Sequence, residues 1–320
     1  MLKTFLKRLV QLIPILFVVI TLTFVLTRMI PGDPAVILLG PQASPDEIAR
    51  MQDELGLNKP LPEQYMDYLT GVLQGDFGKS VSYNRPVLDL ILERLPATLQ
   101  ITLVSMVLAV LVGVPIGVLS AVKQYSAFDY FFMVLALIGV SMPIFWLGLM
   151  LVLVFSVKLG WFAVLGMGSM QNGLWDVIKH MILPVFCLAT IPTATFARIT
   201  RSSMLEVINR ESIKALRARG VRESVVVWKH AFKNALPPLV TVIGMQLASA
   251  FSGAILTETI FSWPGMGTLI YNAVFNRDYA LIQGAVLFIA IIFVFVNLVV
   301  DLIYLVINPR VSYEGGGDSA

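Results

Sequence analysis

From residue 97 to residue 122 the chain carries no charged side chain at all. At about 1.5 Å of rise per helical residue, such a run spans the roughly 30 Å of a bilayer's hydrocarbon core. Five more runs are apolar enough to do the same, over residues 9–30, 130–157, 180–197, 236–260 and 281–307, with one charged residue each in the first, fourth and fifth of these (Arg28, Glu258 and Asp301). No soluble core absorbs that much apolar sequence. Hydrophobic residues make up 57% of the 320 and charged residues only 13%, about half the ~25% charged fraction of soluble domains. The sequence predicts an all-α, polytopic membrane protein with six transmembrane helices.

The first run follows Lys3, Lys7 and Arg8 but is too long for a signal-peptide core, and "RMIPGDP" rather than a cleavage site comes after it. It reads as an uncleaved span. The fourth run contains Pro184 and Pro192. Prolines are tolerated in a span where neighbours or a polar cavity satisfy the freed carbonyls. That points to an interior position or to a simple packing kink.

Charge placement sets the orientation. Residues 31–94 hold ten acids and five Lys/Arg, a net of −5, whereas residues 198–233 hold nine Lys/Arg and three acids, a net of +6. The positive-inside rule then places residues 198–233, the basic N-terminus and the C-terminus in the cytoplasm, and the acidic loop outside. The expected organisation is a cytoplasmic N-terminus and first span (1–30), an external cap (31–96), a five-span core (97–310) and a cytoplasmic tail (311–320). Within the cap, Ser44 is a plausible N-cap with Pro45 as first helical residue and Gly56 as terminator. A second short helix is expected from about residue 63, ending in glycine-rich turns. The tail "EGGGDSA" reads as disordered.

Residues 198–235 form a basic segment between two apolar ones, and helical periodicity makes it a hairpin. Leu205, Ile208, Ser212, Ala215 and Leu216 share one face, and Glu206, Arg210, Lys214 and Arg217 form a charged stripe. Gly220 suits the left-handed position that ends a helix. In the second arm Val221, Val225, Trp228 and Phe232 share a face, and Pro237 and Pro238 mark a turn into the fifth span. The bland reading is a topological signal lying on the lipid interface. Two helices with a glycine joint also suit insertion into a groove on a soluble partner.

Several chemistries are excluded. The one cysteine, Cys187, allows no disulfide and no cysteine-based metal site. No G-x-x-x-x-G-K-[ST] phosphate loop is present, so the chain does not hydrolyse ATP by that route. The two histidines, His180 and His230, are distant in sequence, and nothing calls for a cofactor, a metal or nucleic acid. Asp301 reads as paired or snorkelling rather than a proton carrier. Glu258 either lines an outer path or hydrogen-bonds to the loop carrying Trp263 and Gly265.

"TRSSMLEVINRESIKALRARGVRESVVVWKHAFKNALPP" resembles the coupling loop of the integral-membrane subunits of ABC importers, in particular the dipeptide, oligopeptide and glutathione branch. The matching positions are Ala215, Ala218, Gly220, Asn234, Ala235 and Pro238. "MIPGDPA", "ELGLNKPLPEQY", "GDFGKS", "SMPIFWLG", "ILTETIFSWPGMG" and "VNLVVDLIYLVINPR" resemble that branch in content and order. The chain departs from the general importer signature at Lys214, where that signature has Glu, and at Leu216, where it has Ala.

The resemblance implies a type I ABC importer permease in the cell (cytoplasmic or inner) membrane, one of two that form a path for peptides. It implies one or two separate ATP-binding subunits, an external substrate-binding protein, and an ATPase-coupling hairpin comprising Glu211, Lys214, Ala215, Leu216, Arg217, Ala218, Gly220, Asn234 and Ala235. A proton-coupled carrier acting alone is the alternative; it calls for paired intramembrane carboxylates or histidines and an internal repeat.

Overall fold

The computed structural model describes the backbone of residues 2–29, 32–40, 42–163 and 165–307, with side chains from residue 13 to residue 300 apart from 37 and 38. Helix α1 (Leu2–Met29) leads to the cap, which contains α2 (Pro34–Leu39), α3 (Pro45–Glu54), α4 (Leu61–Leu73) and a two-residue antiparallel pair, β1 (Lys79–Ser80) with β2 (Arg85–Pro86). The start of α3 is as expected. Ser44 Oγ accepts the Glu47 N–H while the Glu47 carboxylate accepts the Ser44 N–H, and Pro45 opens the helix. Gly56 follows the last turn at φ +65°. The short helix α2 and the strand pair lie in sequence that carries no periodic signal.

Helices α5 (Val87–Val122) and α8 (Leu174–Ile208) form the central pair. A Cβ at Gly113 would fall 2.5 Å from the Thr193 carbonyl oxygen, and one at Gly117 2.5 Å from that of Ala197. Glycine at both positions lets the two backbones touch, as small residues do between membrane helices. Pro184 and Pro192 are both buried in α8, in keeping with an interior position. The helix is much longer than the apolar run at 180–197. Apolarity marks the part that hydrocarbon can surround; the backbone bonds of the helix continue through Arg198 and Arg201.

The third apolar stretch is not one straight span. Helix α6 (Ala127–Ser141) is followed at a 104° bend by α7 (Ile144–Leu151), which runs on as a π-helix over Val152–Lys158. The break falls at Met142, which is extended at φ −78°, ψ 129°. Pro143 is the cause, because its ring disfavours helical geometry in the residue before it.

Helix α9 (Glu211–Ala218) and the single turn α10 (Glu223–Val225) lie between α8 and α11 (Phe232–Phe261), with a π-helix over Val226–Ala231 joining the second arm to α11. Pro237 and Pro238 therefore lie inside a continuous helix and do not form the expected turn. The carbonyls that lose their i+4 donor to these prolines belong to Lys233 and Asn234, both exposed residues.

Helix α12 (Met266–Phe275), outside the six expected spans, precedes α13 (Tyr279–Ile307). Its Met266, Leu269 and Ala273 join Val87, Leu90 and Ile91 of α5 and Leu281, Ile282 and Ala285 of α13 in one core cluster. Among the described residues four helices are long and apolar enough to cross a membrane, and the bent α6–α7 pair adds a fifth if counted as one span. The described side chains of α1 contribute the shorter apolar segment Ile13–Met29.

Candidate functional site

The hairpin is built on the ends of three long helices. Ile213, 1% exposed, carries α9 into a cluster formed by Val118 and Ala121 of α5, Met204 and Val207 of α8, and Val226, Val227, Ala231 and Ala235 of the second arm. Fully burying a side chain of that size stabilises by about 1.5–3 kcal/mol, so α9 is held by packing, not by its length of only eight residues. Helix α8 stops at Ile208 and Arg210 is extended. The single face expected from Leu205 to Leu216 is thus split. Ile213 takes the inward position, Ser212 and Ala215 are exposed, and Leu216 is half-buried against the cluster.

Gly220 adopts φ +74°, the left-handed conformation expected of it. Its N–H donates to the Arg217 carbonyl at 3.0 Å, and the Val221 N–H reaches back to that of Leu216 at 3.2 Å. Leu216 and Val221 pack on the same cluster, which is the apolar contact that accompanies this kind of helix end. Arg217 then crosses the joint: its Nε and Nη2 donate to the two carboxylate oxygens of Glu223 at 3.1 and 2.7 Å. The carboxylate beside it raises the Arg217 pKa above its ordinary value. Lys214 pairs with Glu211 at 2.8 Å, and among the described residues no ion pair joins Glu206 to Arg210.

Of the face expected in the second arm, Val221 and Phe232 pack against the cluster and Val225 and Trp228 do not. Val225 and Trp228 are exposed; Val226, Val227 and Ala231 are buried. Asn234 is exposed, its Nδ2 donating to the His230 carbonyl at 2.8 Å, and Ala235 is buried. On the outer surface of α9 and its end stand Glu211, Ser212, Lys214, Ala215, Arg217, Ala218 and Arg219, small residues framed by charge, while the second arm exposes Val225 and Trp228.

One ion pair fixes this assembly to the rest of the chain. Arg201 Nε and Nη2 donate to Asp129 Oδ1 and Oδ2 at 2.6 and 2.7 Å. Asp129 also accepts the Tyr125 N–H, and its own N–H donates to Ser126, the N-cap of α6. The pair therefore ties α8, just before the hairpin, to the α5–α6 turn. Periodicity carries no sign of it, because the partners are 72 residues apart.

At the other end of the bundle Glu258 is fully buried. Its carboxylate accepts the Thr98 hydroxyl at 2.5 Å, the Gly267 N–H at 2.6 Å and the Thr268 N–H at 3.3 Å. Thr98 accepts the Met266 N–H, and Trp263 Nε1 donates to the Ala97 carbonyl at 2.9 Å. These contacts join Glu258 to α5 and to the segment after Trp263. Here it clasps α5, α11 and α12 together. The Asp301 side chain lies outside the described residues.

A family profile described as "Binding-protein-dependent transport system inner membrane component" matches residues 113–313, and a companion profile for the N-terminal part of such components matches residues 1–102. The chain belongs to this family. It is 45% identical to the dipeptide transport system permease protein DppB of Alkalihalophilus pseudofirmus, over 98% of this chain and 100% of that one. It is 40% identical to the oligopeptide transport system permease protein AppB of Bacillus subtilis, over 96% and 98%. With the glutathione transport system permease protein GsiC of Salmonella typhimurium it shares 42% identity, over 98% and 100%. An inward-facing structure of the MetNI methionine ABC transporter contains a chain of the same fold. It superposes with a TM-score of 0.57 at 21% identity, over 69% of this chain and 97% of that one. The chain is thus a multi-pass membrane protein with the fold of an ABC importer permease.

Proposed function

We propose that this chain is a permease subunit of an ATP-driven importer of dipeptides or oligopeptides. It works beside a second permease, takes substrate from an external binding protein and couples to separate ATP-binding subunits. The observation that carries the reading is the hairpin: its apolar back is packed on α5, α8 and α11, while Ala215 and Ala218 stand exposed among basic residues. A rigid projection with a small-residue front suits a groove on a partner. Because Arg201 and Ile213 join it to the long helices, a push on α9 reaches α5, α6 and α8 as a rigid-body motion of the kind that drives alternating access. The similarity to DppB and AppB supports the peptide class.

The hairpin end faces the cytoplasm in this reading, as its net charge of +6 against −5 for the cap requires. With Cys187 changed to Ala, a cysteine replacing the exposed Ser44 reacts with an impermeant thiol reagent added to intact cells. One replacing Ser224 reacts only after permeabilisation. The reverse pattern overturns the orientation.

The deciding experiment measures peptide uptake and co-purification of the ATP-binding subunits in two variants. A β-branched residue at Gly220, at φ +74°, costs on the order of 1–2 kcal/mol and redirects the second arm. Ala215→Asp places an unpaired carboxylate in the proposed groove. Gly220→Val and Ala215→Asp each abolish uptake while leaving membrane levels normal. Full uptake with retained ATP-binding subunits in both would reduce the hairpin to a topological signal.

A further inference from the structure

Beneath the cap, at the end of the bundle away from the hairpin, lies a cavity of about 300 Å³. Its charged and polar lining comes from four elements: Arg28 in the last turn of α1, Glu54 at the end of α3, Lys79 in β1, and Tyr279 and Gln283 in α13. Leu57 and Val81 are among its apolar walls. The guanidinium of Arg28 lies 5.2 Å from the ring centres of both Phe24 and Tyr279, an arrangement that holds the cation in place. Its Nε is buried and has no hydrogen-bond partner.

The ion pairs among the described residues involve neither Arg28 nor Lys79 nor Glu54. The Arg28 Nε is the informative one, since a buried N–H left unsatisfied is costly, and Lys79 and Glu54 stand on the same walls free to meet a ligand. The volume sits at the small end of the ~300–1,000 Å³ of ligand sites. Two cations and one carboxylate on its walls match a small molecule with separated charges of both signs.

We propose that this cavity binds a small zwitterion, with a carboxylate or phosphate against Arg28 and Lys79 and an ammonium group against Glu54. Two sources supply that chemistry: a free dipeptide from outside, and the headgroup of an ethanolamine phospholipid from the adjoining leaflet. The site goes beyond the transport reading, because it requires neither ATP nor the hairpin, and its ligand is held by the cap and the first and last helices.

The test uses the full chain purified with its partner subunits, in phosphatidylcholine nanodiscs without ATP or binding protein. One arm measures equilibrium binding of radiolabelled alanylalanine; the other identifies phosphatidylethanolamine retained from the source membrane by native mass spectrometry. Lys79 and Glu54 are exposed residues, so Lys79→Gln and Glu54→Gln leave folding intact. Each weakens the bound species at least about tenfold, as loss of a charge-assisted contact does. Arg28→Gln does the same and Arg28→Lys restores much of the binding. Alanylalanine bound by the wild type and lost in the variants identifies the dipeptide source; phosphatidylethanolamine retained and lost in the same way identifies the lipid. The proposal is overturned if neither probe binds the wild type, if Lys79→Gln and Glu54→Gln bind both undiminished, or if N-acetyl-alanylalanine amide, which lacks both charges, competes as well as alanylalanine.

Discussion

Glu258, at the cap end, satisfies a hydroxyl and two backbone N–H groups from other segments in a space closed to solvent. Asp278 does similar work nearby, accepting the Ser80 hydroxyl at 2.6 Å and the Ser82 N–H at 3.0 Å while capping the start of α13. At the hairpin end, by contrast, the Lys214–Glu211 and Arg217–Glu223 pairs lie at the surface, and cohesion comes from an apolar cluster with one side left open. The difference is one of satisfaction. The acceptors of Glu258 and Asp278 find their donors within the chain, which makes these two junctions rigid on their own. The hairpin end keeps exposed alanines and basic side chains for something outside the chain.

The Asp129–Arg201 pair breaks this pattern, since it is a buried contact at the hairpin end, and so it offers the largest expected effect. The Asp129 side chain is 2% exposed and that of Arg201 24%. Arg201→Ala strands a carboxylate that water does not reach, a loss of about 3–5 kcal/mol. Asp129→Ala frees a guanidinium that already touches solvent, and costs about 1–3 kcal/mol. Thermal unfolding in detergent then ranks Arg201→Ala clearly below Asp129→Ala, with both losing uptake because α8 is released from the α5–α6 turn. Equal losses in the two variants would show that the burial difference has no energetic weight and that both ends of the bundle are held alike.

Glu258 comes next. Glu258→Ala leaves three donors unsatisfied and is expected to destabilise by about 3 kcal/mol, at roughly 1–3 kcal/mol per stranded group less what water recovers. Glu258→Gln keeps an acceptor for Gly267 and Thr268 and turns a donor toward Thr98, whose oxygen already accepts the Met266 N–H. It should lose less than half as much. Gly265 and Gly267 belong to the same construction: a Cβ at Gly265 would lie 2.3 Å from the Glu258 carboxylate, and one at Gly267 2.4 Å from the Ile255 Cα. A Glu258→Ala protein as stable as the wild type would remove the clasp and the contrast with it.

What was legible in the sequence divides along the range of the interactions. The Ser44 cap, the Pro45 start and the left-handed Gly56 and Gly220 are decided within a few residues, and they stand where the residues place them. The apolar runs located the membrane helices, because hydrocarbon thickness acts on composition directly. The 104° bend did not follow from composition, since α6 and α7 read as one continuous apolar run; Pro143 was its one local sign. In the second arm the periodicity is half matched: Val221 and Phe232 reach the cluster, whereas Val226 and Val227 are buried in place of Val225 and Trp228. Asp129 with Arg201 and Thr98 with Glu258 are joined across 72 and 160 residues. Such pairs leave no periodic trace in one sequence.

The smallest expected effect is the sharpest test of the hairpin's open side. Lys214 and Glu211 are 57% and 88% exposed in their side chains, and a pair of that kind contributes about 0.2–1 kcal/mol at most, less in salt. Lys214→Ala is therefore expected to leave the unfolding midpoint within error of the wild type. If the exposed basic residues serve only the fold, uptake is unchanged as well. If they meet an acidic groove on the ATP-binding subunit, Lys214→Ala lowers uptake modestly at low ionic strength, and the gap to the wild type narrows as added salt screens the charge it removes, over the ~8–10 Å Debye length of physiological salt. Uptake measured in vesicles across a salt series separates the two. A change in stability instead of a change in salt dependence would place Lys214 among the residues that hold the hairpin together, and the boundary between its closed back and its open front would have to move by one turn of α9.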